Sequence, residues 1–220
     1  MSSCCTGITG RATSHGVRVI AVNTAYQLAP WADLCYFCDQ CWYIWHHGGL
    51  DVTGHRRPGP FTPVRYPGFR EFREFNGIKA ALENACTYAV DPSVRILHNY
   101  GEKGFCDVAD GVTSGRSSGY QAIHLAAHLG VVRVLLLGFD MRAVDGRTHW
   151  HSGTPLAHQR ATAPQDFDNE MLPRFADLVD PLAKRGIGVL NCTPGSAIQC
   201  FPRADLADAL RATSHEPGAT

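Results

Sequence analysis

Charge of one sign is missing from this chain. Its 20 Lys and Arg are balanced by 20 Asp and Glu, a formal net charge of zero over 220 residues. Non-specific binding to nucleic acid or to an anionic membrane surface draws on a basic excess, so neither is expected. Long hydrophobic runs are missing as well. The longest, Val131–Gly138, falls far short of the roughly 20 residues that cross a bilayer. The first residues, Met1-Ser-Ser-Cys-Cys-Thr-Gly7, lack the basic-then-apolar order of a secretory signal, so a soluble, cytoplasmic protein is expected. Charged residues are only 18% of the chain against 45% hydrophobic, which excludes a disordered polymer and fits a folded domain with a sizeable core. The length favours one domain, or one domain carrying an elaborated insert.

A regular cysteine framework is also absent. The nine Cys are odd in number and scattered, unlike a secreted disulfide scaffold. Cys35, Cys38 and Cys41 form a C-x2-C-x2-C cluster with no second pair at finger spacing. A structural zinc site closes with four ligands, and His46 and His47 follow close enough to complete such a set. Residues three apart on a strand face opposite sides, so these thiols do not converge without a bend. Reduced, partly buried thiols are therefore expected, and a reducing compartment follows from either reading.

What is present is an alternation of short apolar runs and helical segments. Val17-Arg-Val-Ile-Ala-Val22 and Ala32-Asp-Leu-Cys-Tyr-Phe-Cys38 read as buried strands, with a short helical turn at 24–29 between them. Residues 46–112 are rich in Pro, Gly and Arg and poor in periodicity, and read as an irregular insert or lid with one good strand at 93–98. Arg65, Arg70 and Arg73 in that segment suit either an anionic substrate or a solvated face balanced by Glu71 and Glu74. After Ser117-Ser118-Gly119, the residues Ala122, Ile123, Ala126 and Leu129 share a helix face, and Gly130 supplies the cap. Strands follow at 133–137 and 187–190, with helices at 167–184 and 206–212 and a flexible tail at 213–220. This order predicts an α/β fold, a single Rossmann-like domain around a mostly parallel, doubly wound sheet.

In such a fold ligands bind beyond the carboxyl ends of the strands. The residues at those ends are Asn23, Asp39, Asp140 and Asn191. Asn and Asp favour turns and caps wherever they stand, but four in succession nominate a site. Ser118 and the amide of Gly119 open a helix, whose free N–H groups and positive end suit a phosphate or carboxylate; an N-cap role for the serine is compatible with that. Asp39 and Asp140 are candidates for a magnesium ion bridging phosphates. His149 and His151 follow the Asp140 strand and offer a general base, a metal-binding pair or an ordinary polar loop. His124 and His128 lie one helical turn apart, as a ligand pair or as a partly exposed helix face.

Val19-Ile-Ala-Val-Asn23, Ala29-Pro-Trp-Ala-Asp33, Ser118-Gly119 with Ala122-Ile123, Leu137-Gly-Phe-Asp140 and Asn191-Cys-Thr-Pro-Gly-Ser196 together resemble the MptE-like Rossmann family. Its characterised members are archaeal 6-hydroxymethyl-dihydropterin diphosphokinases, and the likeness is greatest to its members from tailed bacteriophages and prophages. The same elements resemble bacterial sialyltransferases that use CMP-sialic acid. The resemblance covers residues 17–45 and 112–205. It implies a nucleotide donor, Asn23 against the nucleotide, a base from the loop bearing His149 and His151, and transfer of a diphosphate or glycosyl group to a small hydroxyl acceptor. The sequence departs from the family in one place. It has no Gly-Pro-Ser loop near its start: the first element is outside the given chain or has been lost, and Thr6, Gly7, Thr9 and Gly10 are the candidates for a degenerate remnant. That departure keeps open a non-catalytic protein that binds a nucleotide or other small ligand.

Overall fold

The computed structural model describes residues 17–51, 63–83, 91–151 and 162–214. Five strands form one parallel sheet in the order β1 (Ile20–Val22), β2 (Leu34–Phe37), β5 (Ile78–Leu82), β6 (Arg95–Asn99) and β7 (Gly111–Val112). Strands β3 (Gly49–Asp51) and β4 (Val64–Tyr66) pair antiparallel, and β8 (Arg133–Leu136) pairs in parallel with β9 (Gly188–Asn191). The α/β class and parallel sheet are thus as the sequence indicates, with strand ends displaced by at most three residues.

All four residues of β2, Leu-Cys-Tyr-Phe, are buried, which is possible only where both faces of the sheet are covered. On one face Ala21, Cys35, Phe37 and Ala81 lie under Tyr26, Trp42, Tyr43, Phe72 and Phe75. These rings come from the 3-10 turn Asn23–Gln27, from α1 (Gln40–His47), and from α2 (Arg70–Arg73) and the residues after it. On the other face Leu34, Tyr36, Ala80, Leu82, Leu97 and Val112 lie under Ala122 and Leu125 of α3 (Ser118–His128). The far side of α3 presents Tyr120 and Ile123 to a second core built from Leu136, Phe175, Leu178, Leu182, Val189 and Ile198. One helix therefore serves two cores. It ends as the sequence predicts, with Gly130 just past the last turn at φ +77°.

Two expectations are corrected here. The segment read as an irregular insert supplies β5, β6 and β7, three of the five strands of the main sheet. Its strand signal is weak because β5 reads Ile-Lys-Ala-Ala-Leu, and alanine has little strand preference of its own. Burial between two layers selects small side chains there instead. The helix expected at 167–184 is present without a gap but is not uniformly α: α4 (Pro164–Asp166), a π-turn at Phe167–Met171, α5 (Leu172–Phe175), a 3-10 turn at Ala176–Leu178 and α6 (Val179–Lys184) follow one another. Pro173 and Pro181 lack the N–H that a continuous ladder needs, so the hydrogen-bond register shifts around them. The last helix, α7 (Leu206–Ser214), is opened by Asp205, whose Oδ1 accepts from the Ala207 and Asp208 amides at 2.8 and 3.1 Å.

Phe72 is completely buried and its ring meets those of Tyr26, Phe37, Trp42 and Tyr43 at centroid distances of 5.3, 5.8, 5.3 and 6.2 Å. Phe72→Ala should destabilise the protein by about 3–5 kcal/mol, because packed rings on every side limit collapse into the cavity. Urea denaturation of the two proteins measures the difference.

Candidate functional site

The main sheet grows in one direction, from β1 to β7, and α3 then carries the chain back across it. That return sets the start of α3 beside the carboxyl end of β1, the topological position at which open α/β sheets hold ligands. Asn23 follows β1 with φ +50°, a left-handed conformation that few non-glycine residues adopt. Its Nδ2 donates to Ser118 Oγ at 3.2 Å. Cys38, at the end of β2, brings its Sγ to the same hydroxyl at 3.0 Å. Burial above all pushes the Cys38 thiol up to about 11, so it remains an S–H at neutral pH. Asn23 Oδ1 is left buried with no hydrogen-bond partner.

A second layer holds these groups in place. Tyr36 Oη donates to Gln121 Oε1 at 2.8 Å, and Gln121 Nε2 donates to the Ser114 carbonyl at 2.6 Å. Both side chains are buried, so the first turn of α3 is tied to β2 on one side and to its own leading loop on the other. Gly119 has no side chain because Phe139, just after β8, occupies the space: a Cβ there would stand 2.6 Å from the Phe139 ring. The ends of β1, β2 and β8 thus meet at one helix start.

The nominated residues divide. Asn23, Ser118 and Gly119 come together as described. Asp39 caps α1, its Oδ1 accepting from the Cys41 and Trp42 amides at 2.7 and 3.1 Å. Asn191 is 1% exposed and its amide is engaged internally, Nδ2 donating to the Ile198 carbonyl and Oδ1 accepting from the Thr193 amide. Its position organises the turn at 192–198 and leaves it no reach toward a ligand, which corrects the binding role expected for it. Asp140 lies on the same side, its carbonyl accepting from the Ala197 amide at 2.8 Å. Asp39 and Asp140 follow β2 and β8, two of the strands whose ends meet at the start of α3. The grouping of three or more ligand side chains among the described residues lies elsewhere, at Cys106, His124 and His128.

His149 and His151 stack at 5.3 Å with nearly parallel rings, and His151 approaches Trp45 of α1 at 6.3 Å. His149 Nε2 meets Thr162 Oγ1 at 3.2 Å, while His151 Nδ1 is buried and unpartnered. Burial lowers both imidazoles below their usual range, and the proximity of His149 lowers His151 further. Residues 152–161, which follow His151, and Thr6, Gly7, Thr9 and Gly10 lie outside the described residues.

Sequence reasoning did not single out Gln121, and read Cys38 and His46 for zinc spacing and not for these contacts. Cys38 stood directly before Asp39 at a strand end, but its thiol drew attention to metal spacing instead. His46 is fully buried, stacked on Trp42 at 4.1 Å with Nδ1 2.7 Å from Tyr26 Oη. Burial first, and then the neighbouring His151, push it down to about 3. An open depression of about 620 Å³ lies along the β3–β4 hairpin, lined by His47, Gly48, Gly49, Arg65, Tyr66 and Pro67. It lacks converging buried polar groups, and the start of α3 is the better candidate for that reason. No helix among the described residues is long and apolar enough to cross a membrane. No known family model, curated protein or solved structure matches this chain.

His46 and His124, the latter pushed down to about 4 mainly by burial, generate a pH dependence. Each is neutral when folded and binds a proton more readily when unfolded, so the unfolded state gains protons first as pH falls. Stability should be fully present above about pH 6.5 and decline as pH drops from there toward 4. Urea midpoints at successive pH values measure this slope, and His46→Gln should flatten it.

Proposed function

We propose that this protein is a nucleotide-dependent transferase of the MptE-like type, moving a diphosphate or glycosyl group to a small hydroxyl acceptor in a reducing cytoplasm, with a phage or prophage origin. One observation carries the reading. The amide of Asn23 reaches the first residue of α3, Ser118, and leaves its own Oδ1 buried and unpartnered beside that helix start. A donor nucleotide answers both halves of this arrangement. Its phosphates accept from the free N–H groups at the start of α3, and a ribose hydroxyl or base amine donates to Asn23 Oδ1. The unbridged thiols of Cys35, Cys38, Cys106, Cys192 and Cys200 agree with a reducing compartment.

The chemical step requires a base for the acceptor hydroxyl. His151 is neutral, has a buried and unpartnered Nδ1, and lies against Trp45, six residues along α1 from Asp39. His151 Nδ1 takes the hydroxyl proton as the acceptor oxygen attacks the donor, and the leaving phosphate remains at the positive end of α3. Asp140, half-buried beyond β8, orients the acceptor. A second reading is a binding protein that holds a nucleotide in the same place without turnover.

Asn23→Ala and Ser118→Ala should each weaken nucleotide binding by about 1–3 kcal/mol, measured by titration calorimetry against ATP, GTP, CTP and CMP-sugars. Unchanged affinity in both variants, with the fold intact, places the site elsewhere.

His151→Ala should lower turnover by roughly 100- to 10,000-fold with little change in donor affinity, and His149→Ala by less. Because burial lowers the imidazole, the rate should hold to more acidic pH than an ordinary histidine allows and then fall as the ring is protonated. Nucleotide binding with no turnover toward any acceptor would leave the binding-protein reading.

A further inference from the structure

We propose that Cys106, His124 and His128 form a site for a divalent transition-metal ion of the zinc type, clamping the loop before β7 to the last turns of α3. One ligand atom from each residue lies within 4.8 Å of the others. Cys106 Sγ and His124 Nε2 are 3.6 Å apart. Bond lengths of about 2.3 Å to sulfur and 2.0–2.1 Å to nitrogen, opened at a tetrahedral angle, put two ligands about 3.6 Å apart, so this edge is already at its bound length. The remaining ligand atom has at most about 1.5 Å to close, within the reach of a side-chain rotation. His128 Nε2 is buried and has no hydrogen-bond partner, which is the state of a ligand nitrogen without its ion.

The surroundings suit such an ion. His124 is fully buried and sandwiched against Phe105 at 3.9 Å, which fixes its plane. Its Nδ1 lies 3.1 Å from Thr113 Oγ1, and that hydroxyl donates to the Gly104 carbonyl at 2.6 Å. With the proton on Nδ1, directed to Thr113 Oγ1, the Nε2 lone pair faces Cys106; this outer bond is the kind that fixes the tautomer of a metal-bound histidine. Without metal, Nε2 carries the proton and donates to the Cys106 carbonyl at 3.0 Å, and Nδ1 accepts from the Thr113 amide at 3.3 Å. Binding moves that proton to Nδ1 and releases the Cys106 thiol proton to solvent, one proton per ion, so affinity falls as pH falls. His128 lies in the last turn of α3, where the negative end of the helix dipole favours a cation. One thiolate and two imidazoles select a borderline-soft ion over magnesium or calcium, and water fills the fourth position. The site sits at the end of α3 opposite Ser118 and is independent of the nucleotide reading.

Cobalt(II) added to the full-length, metal-stripped protein probes the site directly. One equivalent should bind and give a thiolate-to-cobalt charge-transfer band together with intense tetrahedral d–d bands, and zinc should displace it. Cys106→Ser should abolish the charge-transfer band, His128→Gln should weaken binding at least tenfold, and Cys41→Ser should change neither. His128 is half-buried, so its variant tests the site if removal of Cys106 unfolds the chain, with circular dichroism reporting the fold. Failure of the parent protein to bind one equivalent, or binding that survives both ligand substitutions unchanged, overturns the proposal.

Discussion

Helix α3 is packed from two directions, and the rest of the architecture is arranged around that constraint. Ala122 and Leu125 complete the layer over the main sheet, while Tyr120 and Ile123 complete the core against β8 and β9. An 11-residue segment has too few residues to be stable by itself, so its helicity comes from these two burials. Because both flanks are occupied, α3 has no freedom to roll or slide, and its first turn is fixed to within the tolerance of core packing. Buried polar contacts add direction to that rigidity: Gln121 faces Tyr36, and His124 faces Thr113. The same helix consequently presents two chemically different ends. One offers free amide donors beside Asn23, and the other offers imidazoles beside a thiol.

The legible parts of the sequence were those in which local pattern and tertiary environment agree. β1, β2, β8 and β9 are dense in β-branched or large apolar residues, and α3 carries its apolar positions at helical spacing between a serine and a glycine. Asn23, Ser118 and Gly119 could be nominated because strand ends and helix starts meet in any open α/β sheet. The β5 strand was opaque because its alanines are chosen by a narrow space between layers, a property of the neighbours and not of the segment. Asp39 and Asn191 show the opposite difficulty. Each stands where a ligand-binding residue would stand, yet backbone groups within a few residues satisfy it. Short polar side chains at strand ends serve both purposes, and spacing alone does not separate them.

Histidine placement follows a similar division. His46, His124 and His151 all lose charge to burial, but their neighbours differ. His46 is held by a tyrosine hydroxyl and an indole face, a packing role. His46 Nε2, His128 Nε2 and His151 Nδ1 are all buried without a partner, the second near a thiol and the third beside Trp45 of α1. A buried nitrogen without a partner is uncommon, since the group forfeits its solvation. An unpartnered nitrogen therefore does not by itself separate a reactive ring from a structural one; the neighbours do, and they are invisible in the sequence, in which eleven histidines look alike.

The left-handed backbone at Asn23 restricts which residues can stand at that position over evolutionary time. At φ +50° a β-branched side chain would collide with its own main chain, so only Gly, Asn and Asp sit there at small cost. Glycine would keep the bend and lose the amide that reaches Ser118; aspartate would keep an acceptor and lose the donor. The substitution alphabet at residue 23 is therefore reduced to nearly a single letter by geometry and hydrogen bonding acting together.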